Sequence, residues 1–125
     1  MDVEKQITYW ANGSKSDIEA ARLLVNGGKA RQGLFLAHLA LEKALKAHVV
    51  KASSKHPPKV HSLLILTQRT NLEIPTAQLE FLGTFDVYQL QGRYPDTELP
   101  ELSDELVQRD FKQAGEVQQW LIRQL

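Results

Sequence analysis

Three polar side chains interrupt the most apolar stretch of the sequence, residues 34–50, at regular intervals. His38, Glu42 and Lys46 follow one another at spacings of four, so on a helix they share one narrow stripe, with Lys43 beside it. Histidine and glutamate can transfer protons and lysine can bind an anion, so the stripe could form the wall of a polar pocket facing the turn at Arg93. The alternative is a solvated seam, in which Glu42 and Lys46 form an ordinary helix pair worth about 0.2–0.5 kcal/mol and His38 is a hydrogen-bonded or rim histidine. If Glu42 is buried it needs a partner, and Arg93 is the one we expect.

The second candidate site is the segment Arg93-Tyr94-Pro95-Asp96. The forked guanidinium of Arg93 could bind phosphate oxygens while Tyr94 stacks on a base. Alternatively, Arg93 pairs with a helix carboxylate such as Glu42, and Tyr94 and Pro95 pack the turn. Asp96 is the nearest carboxylate that could accept a proton there.

The third candidate is the basic segment between residues 51 and 61, which contains Lys51, Lys55, His56, Lys59 and His61. It could contact an RNA backbone or the phosphates of a nucleotide. It could equally be a solvated loop in which His61 caps the next helix. The segment lacks aromatic residues, which weakens an interpretation as a single-strand binding surface.

Other chemistry finds little support in the sequence. There are no cysteines, and the four histidines are too dispersed for a metal-ligand spacing, so neither a metal nor a cofactor is predicted. The segment 27–33 places glycine beside lysine but lacks the phosphate-loop spacing, so we interpret it as a turn between helices. Lysine plus arginine and aspartate plus glutamate both number 15, so the zero net charge indicates neither a nucleic acid nor a membrane.

Apolar residues recur at helical rather than alternating spacing along the chain, which predicts an all-α protein. We expect helices at about 3–26, 30–52, 63–69, 77–91 and 104–124, with caps at Ser62 or His61, Thr76, and Ser103 or Asp104. Residues 34–50 are apolar nearly all round the helix axis, which is typical of a buried central helix. The predicted architecture is an up-and-down bundle of four to five helices in a single domain, 1–125. The polar N-terminus shows no signal peptide, so a cytoplasmic location is expected.

Four segments, in this order, resemble the HEPN domain family, named for higher-eukaryote and prokaryote nucleotide binding. They are Trp10 and Asp17 ahead of Ala20-Ala21 and Leu23-Leu24, the Ala-Leu-Glu-Lys-Ala-Leu-Lys-Ala run at 40–47, His61-Ser62-Leu63 after a proline-rich loop, and Arg93-Tyr94-Pro95 before the last helix. The resemblance spans nearly the whole chain and is to small stand-alone members of the Arg-Tyr-Pro type.

The resemblance implies a helical bundle that often forms a homodimer and often accompanies a minimal nucleotidyltransferase as a toxin–antitoxin pair. Many members are metal-independent RNases that use an arginine followed, after four to six residues, by a histidine near the start of the last long helix. This sequence has Arg93 in that region, but no histidine follows His61.

Three functions are therefore compatible with the resemblance and with the missing histidine. The first is a binding module that partners a minimal nucleotidyltransferase and contacts nucleotide or RNA through Arg93, Tyr94, Asp96, Glu42, Lys46 and His61. The second is an RNase with an altered site around Arg93. The third is a helical dimer with a scaffolding role. Independently of these functions, we expect Trp10 and Trp120 to pack the core or a dimer interface rather than stack on a cofactor, and we predict a homodimer.

Overall fold

Helices account for most of the backbone in the computed structural model. The structure describes residues 1–93 and 101–125, and the side chains of all of these except residues 91–93. Its helices are α1 (Val3–Asn26), α2 (Ala30–Ser53), α3 (Leu63–Thr67), α4 (Thr76–Phe85), α5 (Val87–Arg93) and α6 (Asp104–Arg123). The described residues contain no strand, so the predicted all-α class is confirmed. Within the same residues, no helix combines the length and the apolar character needed to cross a membrane.

The ends of the long helices follow local capping chemistry. The Asp2 carboxylate accepts the backbone N–H of Lys5 at the start of α1, and Ser103 accepts that of Leu106 at the start of α6. The connector after α1 uses Gly28 at φ +81°, a left-handed conformation that glycine adopts without steric cost. The C-cap residue of α2, Ser54, is also left-handed.

The prediction of one continuous fourth helix over 77–91 is wrong. The structure has two helices, α4 and α5, separated at Asp86, whose backbone N–H donates to the carbonyl of Thr84. The Asp86 carboxylate is held by hydrogen bonds from α2 and from the start of α3, and the chain turns more tightly at this residue. Thr76 is the first helical residue rather than the cap, because Pro75 occupies the cap position without a side-chain bond. α3 ends at Thr67, two residues before the predicted end.

The central position predicted for α2 is confirmed. It contacts α1, α3, α5 and α6, and most of its residues are buried. α1 packs against it as an antiparallel neighbour, and at Gly33 the packing leaves no room for a Cβ, which would lie 2.6 Å from Cγ2 of Val25. If α4 and α5 are counted as one interrupted helix, the described residues form five helices, as predicted for the bundle.

Candidate functional site

The polar stripe of α2 lies inside the bundle. His38 is 1% exposed, Glu42 3% and Lys46 7%. The interpretation as a solvated seam is therefore wrong, although the predicted Glu42–Lys46 pair is present, with Lys46 Nζ 3.0 Å from Oε2 of Glu42. An ion pair that is buried carries a large desolvation cost, so its remaining hydrogen-bonding capacity must be satisfied by neighbours.

Glu42 has a second partner from outside its own helix. Nδ1 of His61 lies 3.1 Å from Oε1 of Glu42, and Nδ1 of His38 lies 4.0 Å from the same oxygen. The expectation that a buried Glu42 would have a partner is confirmed. The partners described are Lys46 and His61. The predicted contact with Arg93 involves a side chain outside the described residues.

Asp86, at the α4–α5 junction, accepts three hydrogen bonds. Its Oδ1 accepts from Nε2 of His38 and from the backbone N–H of Leu63, both at 2.9 Å, and its Oδ2 accepts from Ser62 Oγ at 3.2 Å. The ring of His38 also lies parallel to that of Phe85, with centroids 6.3 Å apart. Asp86 thus joins α2 to the first residues of α3, and Ser62 caps α3 by accepting the N–H of Ile65. The interpretation of His61 as the cap is wrong.

His38, Glu42, Lys46, His61 and Asp86 together form what we call the carboxylate–histidine cluster. Lys46 Nζ lies 5.4 Å from the ring centroid of Trp10, a cation–π distance, so α1 closes one side of the cluster. His61 is its most exposed member, with 43% of its side chain accessible. Both carboxylates are occupied by donors from the chain itself, which suits a role in holding helices together better than proton transfer to a substrate.

The sequence did not identify Asp86 as a member of this cluster, because Asp86 falls inside the helix predicted over 77–91. Its side-chain partner His38 is 48 positions away. Nothing in the local spacing around Asp86 indicates such a contact, because helical periodicity relates only residues within one helix.

Lys43 does not join the cluster although it lies between two of its members. Its Nζ lies 2.8 Å from Oδ2 of Asp17 on α1. Nearby, Ser14 donates to the carbonyl of Ala40 and accepts from Gln118 Nε2, which links α1, α2 and α6 through one buried hydroxyl. These contacts assign Lys43 to the α1–α2 interface.

The basic segment is accessible along its length. Lys51, Lys55, His56 and Lys59 are all exposed, and Lys51 donates to the backbone carbonyl of Leu125. Arg93, predicted to lie in a turn, is instead the last residue of α5. Its side chain lies outside the described residues, as do Tyr94 and Asp96, so their predicted contacts stay predictions.

Two buried groups away from the cluster have perturbed pKa values. Burial lowers the pKa of His48, whose Nε2 donates to the carbonyl of Leu121 at 2.7 Å, a bond that partly offsets the effect. Burial, together with the hydrogen bond to Asp110, raises the pKa of Tyr88 well above its usual value. Both residues connect α6 to the rest of the bundle. Among the described residues, no three histidine, aspartate or glutamate side chains are arranged to hold a metal ion.

Comparison with known proteins agrees with this architecture. The family model described as "HEPN domain" matches residues 7–125. The fold is similar to the crystal structure of TT1696 from Thermus thermophilus, with a TM-score of 0.83 and 19% identity, covering 96% of this chain and 98% of that one. It is also similar to ST0689, an archaeal HEPN homologue, with a TM-score of 0.72 and 21% identity, covering 94% of this chain and 96% of that one. No curated protein matches the chain.

Proposed function

Because the chain belongs to the HEPN domain family, we propose that it is a non-cleaving binding module whose partner is a minimal nucleotidyltransferase. The observation that carries the proposal is that both carboxylates of the carboxylate–histidine cluster are already bound by donors of the chain itself. Glu42 is held by Lys46 and His61, and Asp86 by three donors of its own chain. A general base must reach the proton that it removes, and both carboxylates are already engaged, with Glu42 buried and Asp86 half-buried.

The sequence supports the same proposal. RNases of this family pair an arginine with a nearby histidine, and within residues 1–125 no histidine follows His61. A carboxylate such as Asp96 would be a poor replacement, since it repels an incoming phosphate. The proposal includes a homodimer, because HEPN domains are commonly dimeric.

Co-expression with the product of a neighbouring nucleotidyltransferase gene tests the partnership. We expect the two proteins to elute together from a size-exclusion column at a mass above that of either one. Sedimentation of this chain alone gives its own oligomeric state as the reference. Separate elution of the two proteins at micromolar concentration would refute the partnership.

Cleavage is tested in the same preparations. We expect purified RNA to remain intact with the wild-type protein, and expression of this chain alone to leave growth unchanged. Growth arrest that is relieved by Arg93→Ala would instead establish the alternative function, an RNase with an altered site around Arg93.

A second function is favoured by the exposure of the basic segment. Lys51, Lys55, His56 and Lys59 are accessible on the α2–α3 connection, and we propose that this surface binds the phosphates of RNA or a nucleotide. Such binding weakens with salt because each neutralised phosphate releases counterions. The last residue of this segment, His61, is also the exposed edge of the carboxylate–histidine cluster.

The matched substitutions Lys55→Gln with Lys59→Gln test this surface against Lys5→Gln with Lys29→Gln. All four lysines are exposed, and both pairs remove the same charge. Loss of two phosphate contacts should reduce the slope of log affinity against log salt by about 1.4 on single-stranded RNA, at about 0.7 per contact. Equal effects of the two pairs would show that net charge, and not this segment, governs binding.

A further inference from the structure

The chain contains three asparagines, and they differ in the two properties that govern spontaneous deamidation. In that reaction the backbone nitrogen of the next residue attacks the side-chain carbonyl of the asparagine, so a following glycine favours it by having no Cβ to block the approach. The asparagine must also leave the helical conformation, because in a helix its side chain points back toward the N-terminus, away from that nitrogen. Asn12 and Asn26 are each followed by glycine, whereas Asn71 is followed by leucine.

Asn12 has the reactive sequence inside a helix that is held on both sides. It lies in the interior of α1, and the residues that flank the Asn12-Gly13 pair, Ala11 and Ser14, are buried. Oγ of Ser14 also donates to the carbonyl of Ala40 on α2 at 2.6 Å. Opening the backbone at Asn12 would break α1 in its middle and remove these contacts, which costs far more than fraying at a helix end.

Asn26 has the same sequence at the end of α1. It is the last helical residue, and Asn26, Gly27 and Gly28 are all exposed. The Gly27 N–H donates to the carbonyl of Leu23 at 2.9 Å, and Gly28 turns the chain at φ +81°. Freeing the Gly27 nitrogen breaks this hydrogen bond at the surface, where water can satisfy both groups. The reactive conformation is therefore reached by fraying of the helix end.

Asn71 has the opposite combination of properties. It is exposed and lies between α3 and α4, outside any helix. Its neighbour is Leu72, whose backbone N–H lies 3.3 Å from Oγ1 of Thr70. The leucine side chain beside the attacking nitrogen hinders ring closure, so exposure without a following glycine leaves this site slow.

We propose that Asn26 is a site of spontaneous deamidation and that the product weakens the contact between α1 and α2. The nitrogen of Gly27 attacks Cγ of Asn26, its proton passes to the departing amide, and ammonia leaves as a succinimide ring closes. Water then opens the ring at either carbonyl and gives aspartate or isoaspartate. One amide is thereby exchanged for one carboxylate, with no oxidation or reduction. The reaction needs no partner, so the proposal is independent of the proposed function.

The product is unfavourable at this position for two reasons. A carboxylate at residue 26 lies at the negative end of the α1 macrodipole, and the last turn, residues 23–26, contains no basic residue to offset it. Isoaspartate also inserts one more carbon into the backbone next to Val25, whose Cγ2 would lie 2.6 Å from a Cβ at Gly33. Both changes act on the connection between α1 and α2, where the packing leaves no spare room.

Peptide mapping by mass spectrometry during incubation in mildly alkaline buffer tests the site, since base removes the proton from the attacking nitrogen. In the folded protein we expect Asn26 to react at least about tenfold faster than Asn12 or Asn71. In guanidinium chloride, where α1 is unfolded, Asn12 and Asn26 should react at similar rates. An isoaspartyl methyltransferase, which labels isoaspartate but not aspartate, should label the aged wild-type protein much more strongly than Asn26→Gln.

Asn26→Asp and Asn71→Asp test the effect on stability, because both exchange an exposed amide for a carboxylate. We expect Asn26→Asp to unfold at a lower urea concentration than the wild type, and Asn71→Asp to unfold close to it. Aged wild-type protein that contains isoaspartate should also unfold at a lower urea concentration than fresh protein.

Two results would overturn the proposal. Equal rates at Asn12 and Asn26 in the folded protein, or a faster reaction at Asn71, would show that the end of α1 is not the reactive site. Coincident urea midpoints for fresh protein, aged protein and Asn26→Asp would show that the product leaves the α1–α2 contact intact.

Discussion

Glu42 and Glu19 show how burial changes the value of a single ion pair. Glu42 pairs with Lys46 at 3.0 Å inside the bundle, whereas Glu19 pairs with Arg22 at 3.6 Å on an exposed surface. Removing one member of a buried pair leaves the other charge desolvated. We expect Glu42→Gln to lower the free energy of unfolding by about 3 kcal/mol, as measured by urea denaturation.

Glu19→Gln is the matched control for that change. Both substitutions remove a carboxylate from a helical pair and keep the side-chain shape, but the surface pair is screened by water. Its loss should change the free energy of unfolding by less than about 0.5 kcal/mol. Similar losses in the two variants would show that the cluster contributes no more than a surface contact.

Only part of the cluster could be predicted from the sequence, because only some of its residues belong to the same helix. His38, Glu42 and Lys46 belong to one helix, so their spacing of four revealed that they share a face. Asp86 is joined to them by tertiary contact alone, and no local pattern distinguishes it from an exposed helix residue. Whether the stripe faced solvent or the interior also depended on the packing of α3 and α5, which the spacing does not encode.

At the level of the helices, two glycines have opposite roles. A Cβ at Gly33 would lie 3.0 Å from the backbone N of Val25 and 3.1 Å from the carbonyl of Ala21, so α1 would have to move. We expect Gly33→Ala to lower the free energy of unfolding by about 1–3 kcal/mol, the usual cost of overpacking.

Gly115→Ala provides the comparison on α6, where the added methyl group meets open space. The substitution should raise the free energy of unfolding by up to about 1 kcal/mol through helix propensity. Thermal or urea denaturation of both variants measures the contrast. A destabilised Gly115→Ala protein would contradict the open space beside Gly115.

The contact between α2 and α6 should make stability depend on pH through His48. Burial lowers the pKa of this histidine below its ordinary value of 6.5 in the folded protein. As the pH falls below 6.5, the unfolded chain takes up the proton first, so the free energy of unfolding should decrease until the pH reaches the lowered pKa. Neighbouring Lys51 acts in the same direction by repelling the charged imidazole.

His48→Gln isolates this effect, because a glutamine amide can donate to the Leu121 carbonyl without titrating. Urea denaturation between pH 8 and pH 5 should show a smaller loss for this variant than for the wild type, by at most about 1.4 kcal/mol per pH unit. The exposed residue His56 offers the control, since His56→Gln should retain the wild-type dependence. Parallel curves for His48→Gln and the wild type would contradict the assignment.

Helix boundaries were predicted well where local chemistry sets them. Asn26 and the glycines after it, Ser62 and Ser103 all lie at or next to helix ends in the structure. The interruption at Asp86 was not predictable in the same way, because the residues on either side continue a helical pattern. The turn coincides with tertiary hydrogen bonds to His38 and Leu63, which act only once the bundle has formed.

At the scale of the whole molecule, α2 explains why the bundle could be recognised from sequence. A helix that is apolar on nearly every side must be surrounded, and the remaining helices are amphipathic enough to cover it. α1, α3, α5 and α6 all contact it. A bundle with one shared central helix should unfold cooperatively, since α1, α3, α5 and α6 all pack against α2.

Trp10 on α1 and Trp120 on α6 report this cooperativity from two different outer helices. Trp10→Phe and Trp120→Phe each leave one tryptophan, so fluorescence follows one helix at a time while circular dichroism follows all of them. We expect all the urea transitions to coincide within each variant, with one midpoint for fluorescence and circular dichroism. The two tryptophans are both half-buried, so both signals should change on unfolding. If the Trp120 signal changed at a lower urea concentration than the circular dichroism, α6 would unfold independently and residues 1–125 would not form a single domain.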